Sequence, residues 1–359
     1  MVGEITRFEL RQQIRSPLFW MVALIFAAVA FAATSSDTVS IGGGMSNIHR
    51  NAPFVVINTL GLFSVIGLFL IPIFVAGAVL RDFDANTAEM VLATPVTRCA
   101  YLGGRLAAGW SISVLVLLAV AVGMWLGSLM PWLEPTRLGP TPWAAYAWAF
   151  GVMVLPNLFF LAALLMLLAT LTRSMLATYI GVIGFLVLRI VAELALGNGN
   201  IAHQLAAALA DPFANGALHL ATRYWTAADQ NSRVPALTGV LVANRLLWLG
   251  VAAALVVASL ASFKPDREGL RWRRRRRAPM NAPPAAKPAS VPLALPRVSL
   301  QAGFAARAIQ FGRLAWFDTV GVLRSTVFVV LLVLGLLNLT AYLVFSGQMF
   351  GTPCIRSRT

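Results

Sequence analysis

Histidines, and polar residues inside apolar segments, are the side chains that could carry chemistry in this chain of 359 residues. His49, His203 and His219 begin H-R-N-A-P, H-Q-L-A-A and H-L-A-T-R, and none of these has the H-E-x-x-H spacing that holds zinc on one face of a helix. The sequence has no G-x-x-x-x-G-K-[ST] loop to cradle the phosphates of ATP. We therefore expect no catalytic, metal or cofactor site in this chain.

Five polar side chains interrupt long apolar segments and are candidate intramembrane sites: Asn157, Arg189, Glu193, Asn244 and Arg245. Arg189 and Glu193 are one helical turn apart, a spacing at which an ion pair lowers the cost of burying both charges. A substrate or gating role is one interpretation, and snorkelling to the outer headgroups is the simpler one. Pro156, next to Asn157, predicts a helix kink. None of these residues identifies a ligand.

The elements that hold these residues are predicted to be membrane-spanning helices. Of all residues, 59% are apolar and 11% are charged, whereas soluble domains have roughly 45 to 50% and about 25%. Apolar runs long enough to span a bilayer, without the alternation of a membrane barrel, occur at Leu18–Ala33, Phe54–Leu80, Leu106–Met130, Trp143–Leu171, Met175–Leu196, Leu237–Phe263 and Thr326–Phe345. We expect an all-α, polytopic integral membrane bundle of six spans, with a seventh after a cytoplasmic linker.

The distribution of Lys and Arg predicts the orientation of the bundle. Twenty of these residues precede the first span or lie in every second loop, and the loops between hold only Arg50, Arg137, Arg223 and Arg233. By the positive-inside rule, the N-terminus and loop 81–105 face the cytoplasm. We expect the chain to lie in the inner membrane. The net charge of +15 thus reflects topology rather than nucleic-acid binding. Loop 197–236 faces outward, either as interfacial helices or as a plain loop.

The chain divides at a linker after the sixth span. Residues 1–17 form a cytoplasmic amphipathic interfacial helix, 18–263 the six-span module, 264–303 a basic Pro/Ala-rich linker, and 304–359 the start of a second, truncated module. The linker's basic residues suit anionic headgroups or a stop-transfer anchor: Arg271, Arg273, Arg274, Arg275, Arg276 and Arg277.

A repeat supports the second module. At an offset of 309 residues, Phe8-Glu9 aligns with Phe317-Asp318 and Arg15-Ser16 with Arg324-Ser325, each pair followed by an apolar span. The chain is then a fragment of a longer protein or a genuine seven-span protein.

Segment 81–105 reads R-D-F-D-A-N-T-A-E-M-V-L-A-T-P-V-T-R-C-A-Y-L-G-G-R and is a charged, helix-capable stretch between two spans. Thr87 can cap a short helix, Met90 and Leu92 suit an apolar cleft, and Pro95 stops the helix. Arg98 and Arg105 are expected to meet acidic groups of a partner or lipid phosphates. An ordinary amphipathic loop on the membrane is the alternative.

The same segment resembles the cytoplasmic loop of ABC-2 type permeases, the membrane half of ATP-driven exporters. The matching positions are Thr87, Glu89, Leu92, Thr94, Pro95, Val96, Thr97, Arg98, Gly104 and Arg105. The resemblance implies a coupling helix that meets a separate ABC ATPase subunit, which binds the ATP, and a second permease module, as a homodimer or a fused half. The whole pattern also resembles the N-terminal part of bacterial permeases fused to a zinc aminopeptidase, although no peptidase residue lies in this chain.

The resemblance therefore predicts a non-catalytic permease subunit. Its ATPase-docking residues would be Asp84, Thr87, Glu89, Leu92, Thr94, Pro95, Val96, Arg98 and Arg105. A membrane anchor or sensor that tethers an enzyme, or an inactive truncated fragment, is the alternative. A secondary transporter is disfavoured because its spans should carry several ionisable or broken-helix features at the midplane.

Overall fold

The computed structural model of the protein describes residues 1–36, 47–85, 87–92, 94, 96–197, 201–263 and 304–323. The chain forms two compact units, Met1–Arg273 and Arg274–Thr359. The described residues are mostly helical, with no strand among them. The prediction of an all-α polytopic membrane protein is confirmed.

The first unit contains twelve α-helices over its described residues, in this order: α1 Val2–Ile14, α2 Pro17–Ser35, α3 Pro53–Asp84, α4 Ala88–Leu92, α5 Arg98–Ser128, α6 Trp143–Trp148, α7 Leu155–Thr172, α8 Met175–Gly197, α9 Ile201–Ala210, α10 Asn215–Thr222, α11 Ala227–Ser232 and α12 Gly239–Ser262. A π-helical turn, Ala149–Val154, joins α6 to α7, so that 143–172 is one continuous helical span.

Five of these helical segments are long and apolar enough to cross a membrane: α2, α3, α5, the joined α6–α7 and α12. They correspond to five of the predicted spans. The fifth predicted span is α8, whose described apolar part, Met175–Ile190, is shorter. The seventh, Thr326–Phe345, lies outside the described residues, as does the linker 264–303 with its basic block.

Two spans differ from their predicted bounds at the end of the bundle that carries α4, called here the α4 end. Helix α3 continues to Asp84 and α5 begins at Arg98, so 81–84 and 98–105 are helical extensions of the spans rather than loop. Thr97 caps α5 by accepting a hydrogen bond from the backbone N–H of Ala100 at 3.2 Å. The connection between the two spans is therefore short, and α4 is its only helix among the described residues.

Helix α5 lies at the centre of the first unit, because glycines let its neighbours approach. A Cβ on Gly123 would lie 2.3 Å from the backbone oxygen of Ala27 in α2, and one on Gly109 would lie 3.1 Å from Cα of Val75 in α3. Lipid tails are as apolar as leucine, so packing of this closeness, rather than hydrophobic burial, holds membrane helices together.

The predicted outward loop 197–236 contains α9, α10 and α11. The corner between α9 and α10 is buried: Phe213 and Ala214 have no exposed surface, and Ala214 adopts a left-handed φ of 56°. It packs against α8 through the rings of Phe185 and Phe213, 6.5 Å apart. This corner is therefore part of the core and not a plain surface loop.

In the second unit, the described residues form one helix, α13, Phe304–Leu323. Its side chains at Phe311, Trp316 and Phe317 are exposed within the described structure. The helix falls where the repeat predicts a second leader.

Candidate functional site

Helix α4 is tied closely to the end of α3. The backbone N–H of Thr87 donates to the carbonyl of Asp82 at 2.9 Å, and the hydroxyl of Thr87 contacts the same carbonyl at 3.4 Å. The carbonyl of Thr87 accepts the first helical bond of α4 from Val91. Met90, in the middle of α4, is 74% exposed. A short helix thus presents an apolar side chain at the end of the bundle.

Beneath α4, the side chain of Arg105 is buried in a network of charges. Its Nη2 lies 2.5 Å from Oδ2 of Asp82 and 3.6 Å from Oε1 of Glu9, and Nη1 donates to the carbonyls of Ala78 and Val79. The hydroxyl of Tyr101 also donates to Oδ2 of Asp82, at 3.1 Å. We call Glu9, Arg81, Asp82, Tyr101 and Arg105 the ion hub.

Helix α1 is held to the bundle through the same hub. Arg81 Nη2 lies 2.7 Å from Oε2 of Glu9, and Gln13 Nε2 donates to the carbonyl of Phe74 at 3.2 Å. Further along α1, the hydroxyl of Thr6 donates to the carbonyl of Gly104 at 3.2 Å. The buried face of α1 is therefore polar, and α1 is bonded to α3 and α5 rather than resting on lipid alone.

Burial explains why the hub contains both signs of charge. Glu9 is 2% and Arg105 6% exposed, and an isolated charge at such a site would cost several kcal/mol. The two carboxylates and two guanidiniums offset each other within one cluster. The hub therefore links α1, α3 and α5 through paired charges of opposite sign.

A cavity of about 590 Å³ opens beside the hub, between α1 and the α4 connection. Its apolar lining comes from Ile5 and Phe8 of α1 and from Val91 and Val96 of the connection. The volume lies within the range of small-ligand pockets, roughly 300 to 1,000 Å³. It could accept an apolar side chain of a protein bound at this end.

A second polar centre lies in the apolar core, around Arg245 of α12, which is 7% exposed. Its guanidinium donates to Oδ1 of Asn244 at 2.6 Å, to Oδ1 of Asn157 at 2.8 Å and to the carbonyl of Pro212 at 3.1 Å. A longer contact, 3.4 Å, reaches the carbonyl of Val152, whose helical partner would be the missing N–H of Pro156. All the acceptors recorded around Arg245 in the described structure are neutral.

These bonds hold the buried corner in place, and we call Asn157, Asn244 and Arg245 the arginine cage. Asn244 Nδ2 donates to the carbonyls of Ala208 and Asp211, at 2.7 and 2.8 Å. Asn157 Nδ2 also donates to Oγ of Ser64 in α3 at 2.8 Å. The cage therefore joins α7, α12 and the α9–α10 corner, and makes one bond to α3.

Comparison of this chain with models of known protein families identifies its family. Residues 4–267 match the model of a family described as ABC-2 family transporter protein. The chain belongs to the ABC-2 transporter family. No curated protein matches it. The chain is thus an integral membrane permease of the ABC-2 family, as its resemblance predicted; the resemblance to peptidase fusions stays a prediction.

The permease keeps several of the predicted docking residues at its α4 end. Asp84, Thr94 and Arg98 are exposed, and Thr87 and Val96 are half-buried. The side chains of Glu89, Leu92 and Pro95 lie outside the described residues. The expectation for Arg105 is wrong: its guanidinium is buried in the ion hub and bonded to Asp82, so it does not meet a partner or lipid phosphate.

Among the predicted intramembrane residues of the permease, Asn157, Asn244 and Arg245 come together and Arg189 does not join them. Arg189 Nε lies 3.3 Å from Oδ1 of Asp211, at the buried corner. The side chain of Glu193 lies outside the described residues, so its pairing with Arg189 stays a prediction. The simple snorkelling interpretation of Arg189 is incomplete, because the guanidinium has a buried carboxylate as partner.

Sequence reasoning missed Glu9, Asp82 and Asp211 as partners of these arginines. The repeat offered one indication of Glu9, because it aligns this residue with a second carboxylate, Asp318. Within the described part of the permease, no three His, Cys, Asp or Glu side chains are grouped closely enough to hold a metal ion.

Proposed function

We propose that this permease is the transmembrane subunit of an ABC-type exporter and that a separate ATPase subunit binds at its α4 end. Binding and hydrolysis of ATP by that subunit would move substrate across the inner membrane, with the α4 end in the cytoplasm. The observation that carries the proposal is the combination of an exposed α4 with a buried ion hub directly beneath it. The family supports the transport role, and this geometry supports the place of coupling.

The hub supplies a rigid connection from the docking surface to the spans. Asp82 bonds both to the backbone before α4 and to Arg105 of α5, and Glu9 adds α1 to the same cluster. A force on α4 or α1 is then transmitted to α3 and α5 together. Such a lever needs no chemistry in the permease itself.

The partner's contact is expected at two kinds of group. Met90 offers an exposed apolar side chain whose burial contributes roughly 1.5 to 3 kcal/mol, equivalent to about a ten- to hundredfold change in affinity. Arg98 offers an exposed positive charge for an acidic group of the ATPase. The cavity lined by Phe8, Val91 and Val96 gives room for a reciprocal apolar anchor.

Purification of the tagged full chain from its native membranes in mild detergent tests the proposal. A protein with a Walker A loop should co-purify with the wild type and be lost with Met90→Ser or Arg98→Glu. Arg98 is the first residue of α5, where a carboxylate is favoured by the helix dipole. Loss of the partner from Arg98→Glu is therefore not a consequence of unfolding α5.

Arg137→Glu, which changes an exposed arginine between α5 and α6, is the matched control and should retain the ATPase. If no ATPase co-purifies with the wild type, the anchor or sensor hypothesis replaces the exporter. If an ATPase remains bound to both α4-end variants, the docking assignment is wrong although the exporter stands.

A further inference from the structure

Two neighbouring cavities lie among α9, α10, α11 and α12, away from the ion hub. The smaller, about 320 Å³, is lined by Gln204, His219 and Arg223 together with small apolar residues. The larger, about 510 Å³, is lined mainly by apolar side chains, among them Leu205, Val234 and Leu241. Leu220 and Arg223 line both. Both cavities therefore offer apolar surface, and Arg223 lies in the wall that they share.

The larger cavity is placed at the edge of a membrane span. Val240 and Leu241, in its lining, belong to the first turn of α12, and Leu246, one to two turns later, is exposed on the same spanning helix. Tyr224, at the rim, is 86% exposed. Tyrosine at such a rim is typical of the headgroup level of a bilayer. The larger cavity is therefore within reach of an acyl chain, and Arg223 in its wall is within reach of a headgroup.

The charge at the junction is positive. Nη1 of Arg223 donates to Oε1 of Gln204 at 3.2 Å, and among the described residues Arg223 has no carboxylate at ion-pair distance. Asp211 also lines the smaller cavity, but its Oδ2 accepts from the N–H of Gly216 and its Oδ1 from Phe213 and Arg189. Arg233 at the rim is paired with Asp229 at 3.1 Å. Arg223 is left as the group that an anion would meet.

We propose that these neighbouring cavities bind one anionic phospholipid of the surrounding membrane, with the phosphate at Arg223 and one acyl chain in the larger cavity. The occupant is a lipid rather than a soluble anion, because the larger compartment offers apolar surface that a free phosphate could not use. The proposal requires only that the chain spans a membrane and does not depend on the ATPase.

Native mass spectrometry of the full chain, titrated with phosphatidylglycerol and with phosphatidylcholine of the same chain length, tests this site. The wild type should bind phosphatidylglycerol more tightly. Arg223→Gln should lower its affinity for phosphatidylglycerol about fivefold, since one arginine near a lipid surface contributes about that much. Arg137→Gln changes an exposed arginine that lines neither cavity and should keep the wild-type preference.

A second variant tests the acyl-chain compartment. Ala221 is an exposed residue of the larger cavity, and Ala221→Trp should fill that space and weaken both lipids without unfolding the helix. Equal binding of the two lipids by the wild type overturns the proposal, as does an equal loss in Arg137→Gln, which would indicate a diffuse positive field. If glycerol 3-phosphate displaces phosphatidylglycerol and Ala221→Trp has no effect, the site takes a soluble anion and the lipid assignment is wrong.

Discussion

Replacement of Arg105 by methionine should cost more stability than any change of an exposed arginine at the same end of the bundle. Methionine keeps the length and apolar stem of the side chain but removes the charge, leaving Glu9, 2% exposed, and Asp82, 13% exposed, as neighbouring negative groups. Loss of one partner from a buried ion pair costs about 3 to 5 kcal/mol. Since proteins have a total stability of about 5 to 15 kcal/mol, the change should be large.

The free energy can be followed by reversible unfolding in mixed micelles, with tryptophan fluorescence as the signal. Arg98→Met, which changes an exposed arginine on the first turn of the same helix, should stay within about 0.5 kcal/mol of the wild type. Comparison of Arg105→Met with Arg98→Met therefore separates the effect of burial from that of charge alone.

A compensated variant makes the argument sharper. Combining Arg105→Met with Asp82→Asn removes the charge that loses its partner, because Glu9 keeps its ion pair with Arg81, and the double variant should recover part of the lost stability. A cost below 1 kcal/mol for Arg105→Met, or a double variant less stable than the single one, would refute the account of the hub as mutually compensating buried charges.

Two further predictions concern packing and pH. Gly123→Ala should destabilise the protein, because the new Cβ would lie 2.3 Å from a backbone oxygen of Ala27 that cannot move aside. Gly103→Ala, whose new Cβ would have nothing within 4 Å, should leave the stability unchanged or raise it by about 0.5 to 1 kcal/mol. Thermal unfolding of the two variants tests both expectations. At α11, the side-chain and backbone hydrogen bonds from Thr226 lower the pKa of Asp229. The carboxylate thus stabilises α11 fully above its unfolded-state pKa and loses this effect as pH falls through the lower folded-state pKa. The protection factors of the α11 amides, which correct the exchange rates for the intrinsic rate at each pH, should fall at acid pH in the wild type. A fall that persists in Asp229→Asn would contradict this cause.

The spans could be predicted from sequence because apolar length alone decides them, but the ends of α3 and α5 could not. Charged residues such as Arg98 and Arg105 made Leu106 the expected start of the third span. In the structure Arg105 is paired with carboxylates, which removes the cost of burying it, and the helix extends to Arg98. Its partner Glu9 is distant in sequence, so only the tertiary fold brings the two together.

The residues of the arginine cage were predicted from sequence, but the backbone segment that they bind was not. Asn157, Asn244 and Arg245 were visible as polar residues in apolar segments, but their main acceptors include backbone carbonyls of the α9–α10 corner. A carbonyl has no residue signature, so sequence gave no reason to place loop 197–236 inside the bundle. A buried arginine without an evident carboxylate was the available hint that a segment of backbone must reach it.

The two polar centres divide the permease into groups of helices that can be expected to move as units. The ion hub joins α1, α3 and α5, and the arginine cage joins α7, α12 and the corner. A hydrogen bond donated by Asn157 of the second group to Ser64 of α3 connects the two groups. Hydrogen bonds between membrane helices contribute on average only about 0.6 kcal/mol each, and each centre contains several polar contacts. Under the proposed coupling, a force on α4 would therefore move α3 and α5 together. The resulting displacement would occur at the contact between α3 and α7.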